Sequence, residues 1–201
     1  MRLATDRVEL LPLLPDFLDE LYDLETSPEV LHSWRLRGTV PARRDYEASL
    51  WRGVADQRVV LSRSTGALVG LVQLYNVDPW LRHGWVSVIA GTRARGHGAA
   101  LEGLMVFAEH CFTHWGLQRL LAYSLDTNFA AFRSGPGRNF EHAGVLRDRV
   151  LLEGEPHDVH VLWATPETLA RQTALVRRAM ARAADRAADR AGTDDRGRTV
   201  G

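Results

Sequence analysis

The sequence predicts a mixed α/β fold in which adjacent antiparallel strands alternate with helices. Three observations predict it. Short runs rich in β-branched and apolar residues recur along the chain, helical apolar spacing lies between them, and two pairs of neighbouring runs flank polar turns. The predicted order is β-α-α-β-β-β-α-β-α-β-β, and adjacent antiparallel strands with interspersed helices indicate a mixed sheet rather than a parallel one.

The first part of the chain supplies one strand and two helices. Residues 7–15 predict the first strand. Residues 16–27 carry apolar side chains at helical spacing, and Pro28 is expected to end that helix. Residues 40–54 predict a second helix, with Pro41 suited to its first turn.

The middle of the chain predicts a hairpin, a strand and the clearest helix. Residues 57–77 contain two apolar runs around a polar turn at 63–66, and a further strand covers 84–90. A helix then begins near Gly98, and Gly116 is suited to end it. The apolar face of this helix consists of Leu101, Leu104, Met105, Ala108, Cys111, Phe112 and Trp115.

The last part predicts a strand over 117–125, a helix over 128–135 and a second hairpin over 144–164. An Ala/Arg-rich segment follows, whose repeat has no large apolar face. We therefore expect one domain over residues 1–165 and a helical, then disordered tail over 166–201.

Composition narrows the class of protein. The 201 residues carry a formal net charge of zero, which gives no global reason for binding nucleic acid or an anionic membrane. All 25 cationic residues are Arg, a bias typical of GC-rich genomes. The single Cys excludes an intramolecular disulfide, and no apolar run is long enough for a membrane span. We expect a cytoplasmic protein with no membrane association.

The stretch 92–101, TRARGHGAAL, joins a strand to a helix. The first turn of a helix leaves backbone N–H groups without internal acceptors, and they converge at the positive end of the helix dipole. Glycines let a ligand approach that backbone, and Arg93 and Arg95 add positive charge. The stretch predicts a phosphate site. It is neither a P-loop, because the Gly-Lys-Ser/Thr ending is absent, nor a Rossmann fingerprint, because Leu101 occupies the third glycine position.

The run RARGHG, residues 93–98, resembles the Q/R-x-x-G-x-G/A pattern that opens motif A of the GCN5-related N-acetyltransferase (GNAT) superfamily. Residues 128–148 resemble motif B of the same superfamily, closest to its ribosomal-protein-alanine N-acetyltransferase branch. The resemblance covers about residues 7–164. The matching motif B positions are Asn128, Ala131, Arg133, Phe140, Gly144, Leu146 and Arg147.

This resemblance implies a mostly antiparallel, seven-stranded sheet flanked by helices and splayed between strands 4 and 5. It implies acetyl-CoA or another acyl-CoA as co-substrate, with the pantetheine arm paired to the opened strand edge and an N–H near Ile89 polarising the thioester carbonyl. No metal is expected. The implied cofactor-binding residues are Val88, Ile89, Ala90, Arg93, Arg95, Gly96, His97, Gly98, Ala99, Asn128 and Phe132.

The sequence departs from the family at two catalytic positions. Many members carry a Tyr where this chain has Gly135, and a Glu early on the fourth strand where it has Trp85. Ser134 is a candidate to contact the sulfur, although a helical Ser can also bond its own backbone. His83 is a candidate base acting through water, although it also fits an exposed loop histidine.

The leading hypothesis is an N-acyltransferase that moves an acetyl group to a primary amine by direct attack. The acceptor is a small molecule or a protein N-terminus, with a preference for the small molecule. Two alternatives stay open: another donor such as aminoacyl-tRNA, which the sequence does not specifically indicate, and a non-catalytic acyl-CoA-binding domain. Both a monomer and a homodimer are compatible with the sequence.

Overall fold

The chain folds around one seven-stranded sheet with the strand order β1-β2-β3-β4-β5-β7-β6. A computed structural model describes residues 3–32, 35–91, 98–129 and 140–171. The strands are β1 (Val8–Pro12), β2 (Val54–Ser62), β3 (Leu68–Asp78), β4 (His83–Ala90), β5 (Arg119–Leu125), β6 (Glu141–Leu152) and β7 (Glu155–Ala164).

All neighbouring strands in this sheet are antiparallel except β4 and β5, which pair in parallel. The predicted mixed and mostly antiparallel fold is therefore confirmed. The β2–β3 hairpin turns at 63–66 as predicted. The β6–β7 hairpin turns at Glu153 and Gly154, which both have positive φ, as the tight primed turns of hairpins require.

The helices differ from prediction at their ends. They are a 3₁₀ turn (Pro15–Phe17), α1 (Leu18–Glu25), α2 (Pro28–Leu31), α3 (Arg43–Ser49) and α4 (Ala99–His114), with short helical segments at 126–129 and 166–171. Pro28 does not simply end a helix but starts α2, where its missing N–H has no helical partner to lose. Helix α3 begins after Pro41, and Val54 belongs to β2. None of these described helices is long and apolar enough to cross a membrane.

Strand alternation places a different apolar cluster on each face of the sheet. One cluster joins α4 to even-numbered positions such as Val72, Val86 and Leu162. The other joins α1 and α2 to odd-numbered positions such as Leu71 and Ile89. We call these the α4 face and the α1 face of the sheet.

Helix α4 is amphipathic as predicted, with a shifted buried stripe. Phe107 is fully buried although it lies outside the predicted face, whereas Trp115 is 39% exposed. The helix lies close to β2, since a Cβ on Gly103 would come within 2.7 Å of Val60 Cγ1. His110, expected on the surface, is partly buried and bonds Asp56 at 3.2 Å. Burial, opposed by that bond, lowers the pKa of His110.

The segment after β7 continues into the core for one helical turn. Leu169 is buried and belongs to the α4-face cluster, and the Thr165 N–H donates to Thr168 Oγ1 at 2.8 Å at the start of the turn. The predicted boundary at residue 165 stays a prediction, because the tail after residue 171 lies outside the described residues.

Candidate active site

The sheet opens between β4 and β5. The parallel pairing covers three residue pairs, from His83 with Arg119 to Trp85 with Leu121. Beyond Trp85, β4 keeps its pairing with β3 up to Ala90 but has no described pairing with β5. The splay expected between strands 4 and 5 is therefore present, as a gap bordered by Val86–Ala90 on one side.

The strand register decides which backbone groups of β4 face this gap. Antiparallel neighbours bond at every second residue pair. Gly91 N–H donates to Val69 O at 2.8 Å, and the unbroken register places Ile89 opposite Leu71 two residues earlier. The backbone groups of Ile89 are therefore directed at β3, while those of Val88 and Ala90 are directed at the gap.

The other edge of β4 agrees with this assignment. Arg82 O, at an even position, accepts an N–H from Arg119 of β5. The N–H of Ile89 itself is thus turned away from the gap, so the polarising N–H that is expected near Ile89 would belong to Val88 or Ala90, whose N–H groups face it. The side chain of Ile89 is buried in the α1-face cluster.

The gap leads to the N-terminus of α4. Gly98 is the residue before the helix, with φ of 71°, and its carbonyl accepts the N–H of Glu102 at 2.9 Å. A Cβ added at Gly98 would meet no atom of the described residues within 4 Å. Gly98 therefore has room beside it at the start of the helix, where the helix dipole is positive, while Ala99 already packs against the core. The predicted phosphate residues Arg93, Arg95, Gly96 and His97 lie outside the described residues.

The opposite wall of the gap follows β5. Asn128 lies in the helical segment 126–129, and the neighbouring Phe129 stacks on His160 with ring centroids 3.6 Å apart. His142 Nε2 lies 3.0 Å from His160 Nδ1. Burial, followed by repulsion from His142, lowers the pKa of His160. Phe132 and Ser134, predicted to contact cofactor and sulfur, lie outside the described residues.

His83 lies at the closed end of the gap. It pairs with Arg119 of β5 and follows the β3–β4 turn, where its register partner is Asp78. Five residues separate it from Val88, which is about 16 Å along a strand. The structure therefore does not bring His83 next to the open part of β4.

Aromatic side chains line the closed end on the α1 face. Trp85, which occupies the position of the family's Glu, contacts Tyr123 with ring centroids 4.3 Å apart. Tyr75 is the register partner of Trp85. Burial, reinforced by Tyr123, raises the pKa of Tyr75 to about 12. The sequence gives no sign that Tyr75 and Tyr123 are close, because they are 48 residues apart. The strand order brings both of them next to Trp85.

An acidic cavity of about 420 Å³ lies at the open end of the gap on the α1 face. Its size is within the range of small-ligand sites. Three segments form it: α2, the end of β5 with the residues after it, and the β6–β7 turn. It is lined by Pro28, Glu29, His32, Leu125, Thr127, Asn128, Leu152, Glu153, Glu155 and His157.

Asp126 and His157 form a pair at this cavity. Asp126 Oδ1 lies 3.0 Å from His157 Nδ1 and also accepts the Thr127 N–H at 2.6 Å. The bond to His157, ahead of the backbone bonds, lowers the pKa of Asp126. Glu29 alone is a weak acidic signal in the sequence, but the fold adds Glu153 and Glu155 to it.

A buried polar network holds the helices of the α1 face in place. Glu25 is fully buried and receives Arg35 Nε and Nη2, each at 2.7 Å, and the Tyr46 hydroxyl at 3.1 Å. Gln73 donates to Gln57 at 2.8 Å, and Gln57 donates to Leu50 O at 3.1 Å. The network ties α1, α3 and the segment between them to β2 and β3.

Comparison with known proteins identifies the family of the chain. The family model described as "Acetyltransferase (GNAT) domain" matches residues 7–134, more than half of the chain. The chain belongs to this GNAT acetyltransferase family and is an N-acetyltransferase by class. A comparison with curated protein sequences finds no match.

Solved structures share the fold. A spermidine N-acetyltransferase from Vibrio cholerae, in complex with CoA and spermine, has a TM-score of 0.72 at 17% identity, covering 83% of this chain and 99% of its own. A putative ribosomal-protein-serine acetyltransferase from Vibrio cholerae has a TM-score of 0.59 at 22% identity, covering 83% and 98%. These identities support a likeness of fold.

Proposed function

We propose that this protein transfers an acetyl group from acetyl-CoA to a primary amine of a small cationic acceptor. One observation carries the proposal. The gap between β4 and β5 runs from the open N-terminus of α4 to an acidic cavity, with the backbone of Val88 and Ala90 directed into it. The donor would enter from the helix, and the acceptor from the cavity.

The donor half of the proposal rests on unpaired backbone groups. Buried or ligand-facing N–H and C=O groups require partners. The amides of a pantetheine arm would pair with Val88 and Ala90 as an added strand does. The N–H groups near Gly98 and Ala99 would receive the pyrophosphate, aided by Arg93, Arg95, Gly96 and His97. The structurally similar spermidine acetyltransferase binds CoA, which supports an acyl-CoA donor for this protein.

The acceptor half rests on charge. Glu29, Glu153 and Glu155 line one cavity, and Asp126 adjoins it, so the site attracts a cation. A primary amine with a second amino group fits this field better than an amine with one charge. The spermine bound in the similar acetyltransferase is such a molecule. A protein N-terminus stays a weaker candidate.

The chemistry would be direct attack. A neutral amine held beside the thioester carbon needs positioning above all, which is worth about 7–11 kcal/mol in favourable cases. The N–H of Val88 or Ala90 would stabilise the developing oxyanion. Asn128 would line the far side of the arm, together with Phe132, and Ser134 stays a candidate for contact with the leaving sulfur.

Calorimetry with CoA tests the donor site. We expect Gly98→Asp to weaken CoA binding at least tenfold more than Gly98→Asn does. The two side chains have the same shape and the same strain at positive φ, so their difference isolates the charge placed before the helix. Equal affinities for the two variants would contradict a pyrophosphate at this helix end.

Turnover with paired amines tests the acceptor site. We expect Glu153→Gln and Glu155→Gln to lower kcat/KM for 1,5-diaminopentane several-fold more than for pentylamine, because only the diamine has a remote cation. Glu141→Gln, at the other end of β6, is the control and should change neither value. Intact CoA binding without turnover on any amine would favour a non-catalytic binder instead.

A further inference from the structure

We propose that His157, held by Asp126, is the general base that deprotonates the acceptor amine. This inference rests on the proposed function and assigns a group that the sequence analysis did not find. The need for such a group is general. Alkyl amines ionise near pH 10, so at neutral pH the acceptor arrives as an ammonium ion without a lone pair to attack with.

The geometry fixes the imidazole of His157. Its Nδ1 is 3.0 Å from Asp126 Oδ1, and the lowered pKa of Asp126 keeps that oxygen a carboxylate. The proton of the neutral imidazole is therefore on Nδ1, which donates a hydrogen bond to the carboxylate. Nε2 is left as the basic nitrogen. Among the described residues, no hydrogen bond occupies Nε2.

His157 is also in the right place. Leu125 of β5 is the register partner of Val159 in β7, so His157 lies just beyond the last pair, beside the residues that follow β5. His157 and Trp163 are both at odd positions of β7, so both lie on the α1 face of the sheet. The Trp163 ring contacts Arg119 of β5. His157 lines the acidic cavity and is 23% exposed, so a ligand can reach it.

The charged groups around His157 suit the step. Those that share its cavity are Glu29 and His32 from α2, Glu153 and Glu155 from the β6–β7 turn, and its partner Asp126. The carboxylates attract an ammonium ion before the reaction and stabilise an imidazolium afterwards. The step therefore does not create an uncompensated charge.

Other described histidines are less suited. His83 lies at the closed end of the gap. His110 bonds Asp56 and stacks on His114 at the far end of α4. His142 and His160 bond each other, and Phe129 covers the ring of His160. His157 alone among these combines a carboxylate partner, a free ring nitrogen and a place in the cavity.

The step balances in protons and electrons. His157 Nε2 takes one proton from R–NH₃⁺, and the freed lone pair forms the N–C bond while the carbonyl pair moves to oxygen. The pair on oxygen then re-forms the carbonyl as the C–S bond breaks, and the electrons of the C–S bond leave on sulfur. The second amine proton goes to the thiolate. His157 returns its proton to solvent, so R–NH₃⁺ and acetyl-CoA give the amide, CoA-SH and H⁺.

A pH–rate profile with 1,5-diaminopentane tests the assignment. For wild type we expect kcat/KM to rise with pH as the imidazole loses its proton and then to level off. His157→Gln should lower kcat/KM about 100-fold at pH 7, with CoA affinity unchanged, and should replace the levelling of the wild-type profile with a rise that continues to pH 10, because the variant depends on the fraction of free amine. Its rate should approach wild type near pH 10, where the free amine is abundant. Structural damage would give no such recovery.

Two further variants sharpen the test. Asp126→Asn keeps a hydrogen-bond acceptor but loses the charge. The rise of kcat/KM with pH should therefore move to lower pH in this variant, with kcat reduced about tenfold. The control His114→Gln, an exposed histidine on α4, should match wild type.

The outcomes separate the two proposals. Wild-type turnover with an unchanged rate and pH profile in His157→Gln overturns the base assignment and leaves the acetyltransferase proposal standing. Failure of wild type to acetylate any amine overturns both.

Discussion

Two carboxylates on the α1 face, Glu25 and Asp126, each bond a basic side chain, yet the two sites differ in completeness. Glu25 is fully buried, and three donors from Arg35 and Tyr46 occupy both of its oxygens. Asp126 is 39% exposed, and its partner His157 keeps one ring nitrogen open to a cavity. A saturated cluster fixes structure, whereas an unsaturated one at a cavity is available for chemistry.

The largest effect we expect is on the Glu25 cluster. Glu25→Ala leaves the guanidinium of Arg35 and the Tyr46 hydroxyl without their acceptor, which should lower the free energy of unfolding by about 3–5 kcal/mol. Asp19→Ala is the control, because Asp19 also pairs with an arginine, Arg43, but is exposed. It should change the free energy by less than about 0.5 kcal/mol. Urea denaturation gives both values, and equal losses would erase the contrast.

A smaller loss should follow Gln73→Leu in the same network. The change leaves Gln57 Oε1 buried without its donor and should lower the free energy of unfolding by about 1–3 kcal/mol. Gln118→Leu, at an exposed position, should stay within about 0.5 kcal/mol of wild type. An unchanged free energy of unfolding in Gln73→Leu would mean that the network tolerates a buried acceptor that has no donor.

Tyr46→Phe should give a loss that depends on pH. Removing the hydroxyl bond to Glu25 should cost about 1.5 kcal/mol at pH 7. Burial, then the charge of Glu25, raises the pKa of Tyr46, so the wild type's advantage is complete below the unfolded value near 10 and decreases as pH rises above it. Urea midpoints at pH 8, 10 and 11 should converge for the two proteins. A constant difference between the urea midpoints of the two proteins at these pH values would contradict a raised pKa of the buried Tyr46.

The smallest stability effect should come from Asp126→Asn. The folded pKa of Asp126 is lowered, so its contribution is present above the unfolded value near 4 and is lost as pH falls. We expect a slight decrease in the melting temperature at pH 7 and none at pH 3. A decrease as large as that of Glu25→Ala would show that the Asp126–His157 pair is structural.

The order of the elements and the start of α4 could be predicted from the sequence. Apolar runs located β4 and α4 to within a residue, because strand and helix periodicities are local signals. The start of α4 at Gly98 was equally readable, since glycine before a helix with positive φ is a local requirement. Proline was ambiguous: Pro28 and Pro41 can end one helix or precede another.

The acceptor side could not be predicted in the same way. Asp126 and His157 are 31 residues apart, and they meet because β7 lies between β5 and β6. Glu29 joins them from a short helix more than a hundred residues earlier in the chain than Glu153. Periodicity assigns each residue to a face, but only the strand order says which residues on that face become neighbours.

The short parallel pairing of β4 with β5 has a consequence for how the chain assembles. Strands β2, β3 and β4 form successive hairpins, and so do β6 and β7, so these five strands pair through contacts near in sequence, whereas β1 and β5 join the sheet through distant ones. The junction of β4 with β5 holds three residue pairs and must close a loop that contains all of α4. Because loop closure between distant segments is slow, we expect the hairpins to form before the junction. Amide hydrogens at Arg119 and Leu121, which face β4, should accordingly exchange sooner than those in the centre of β3, so the weakest pairing of the sheet borders the gap in which we propose that substrates bind.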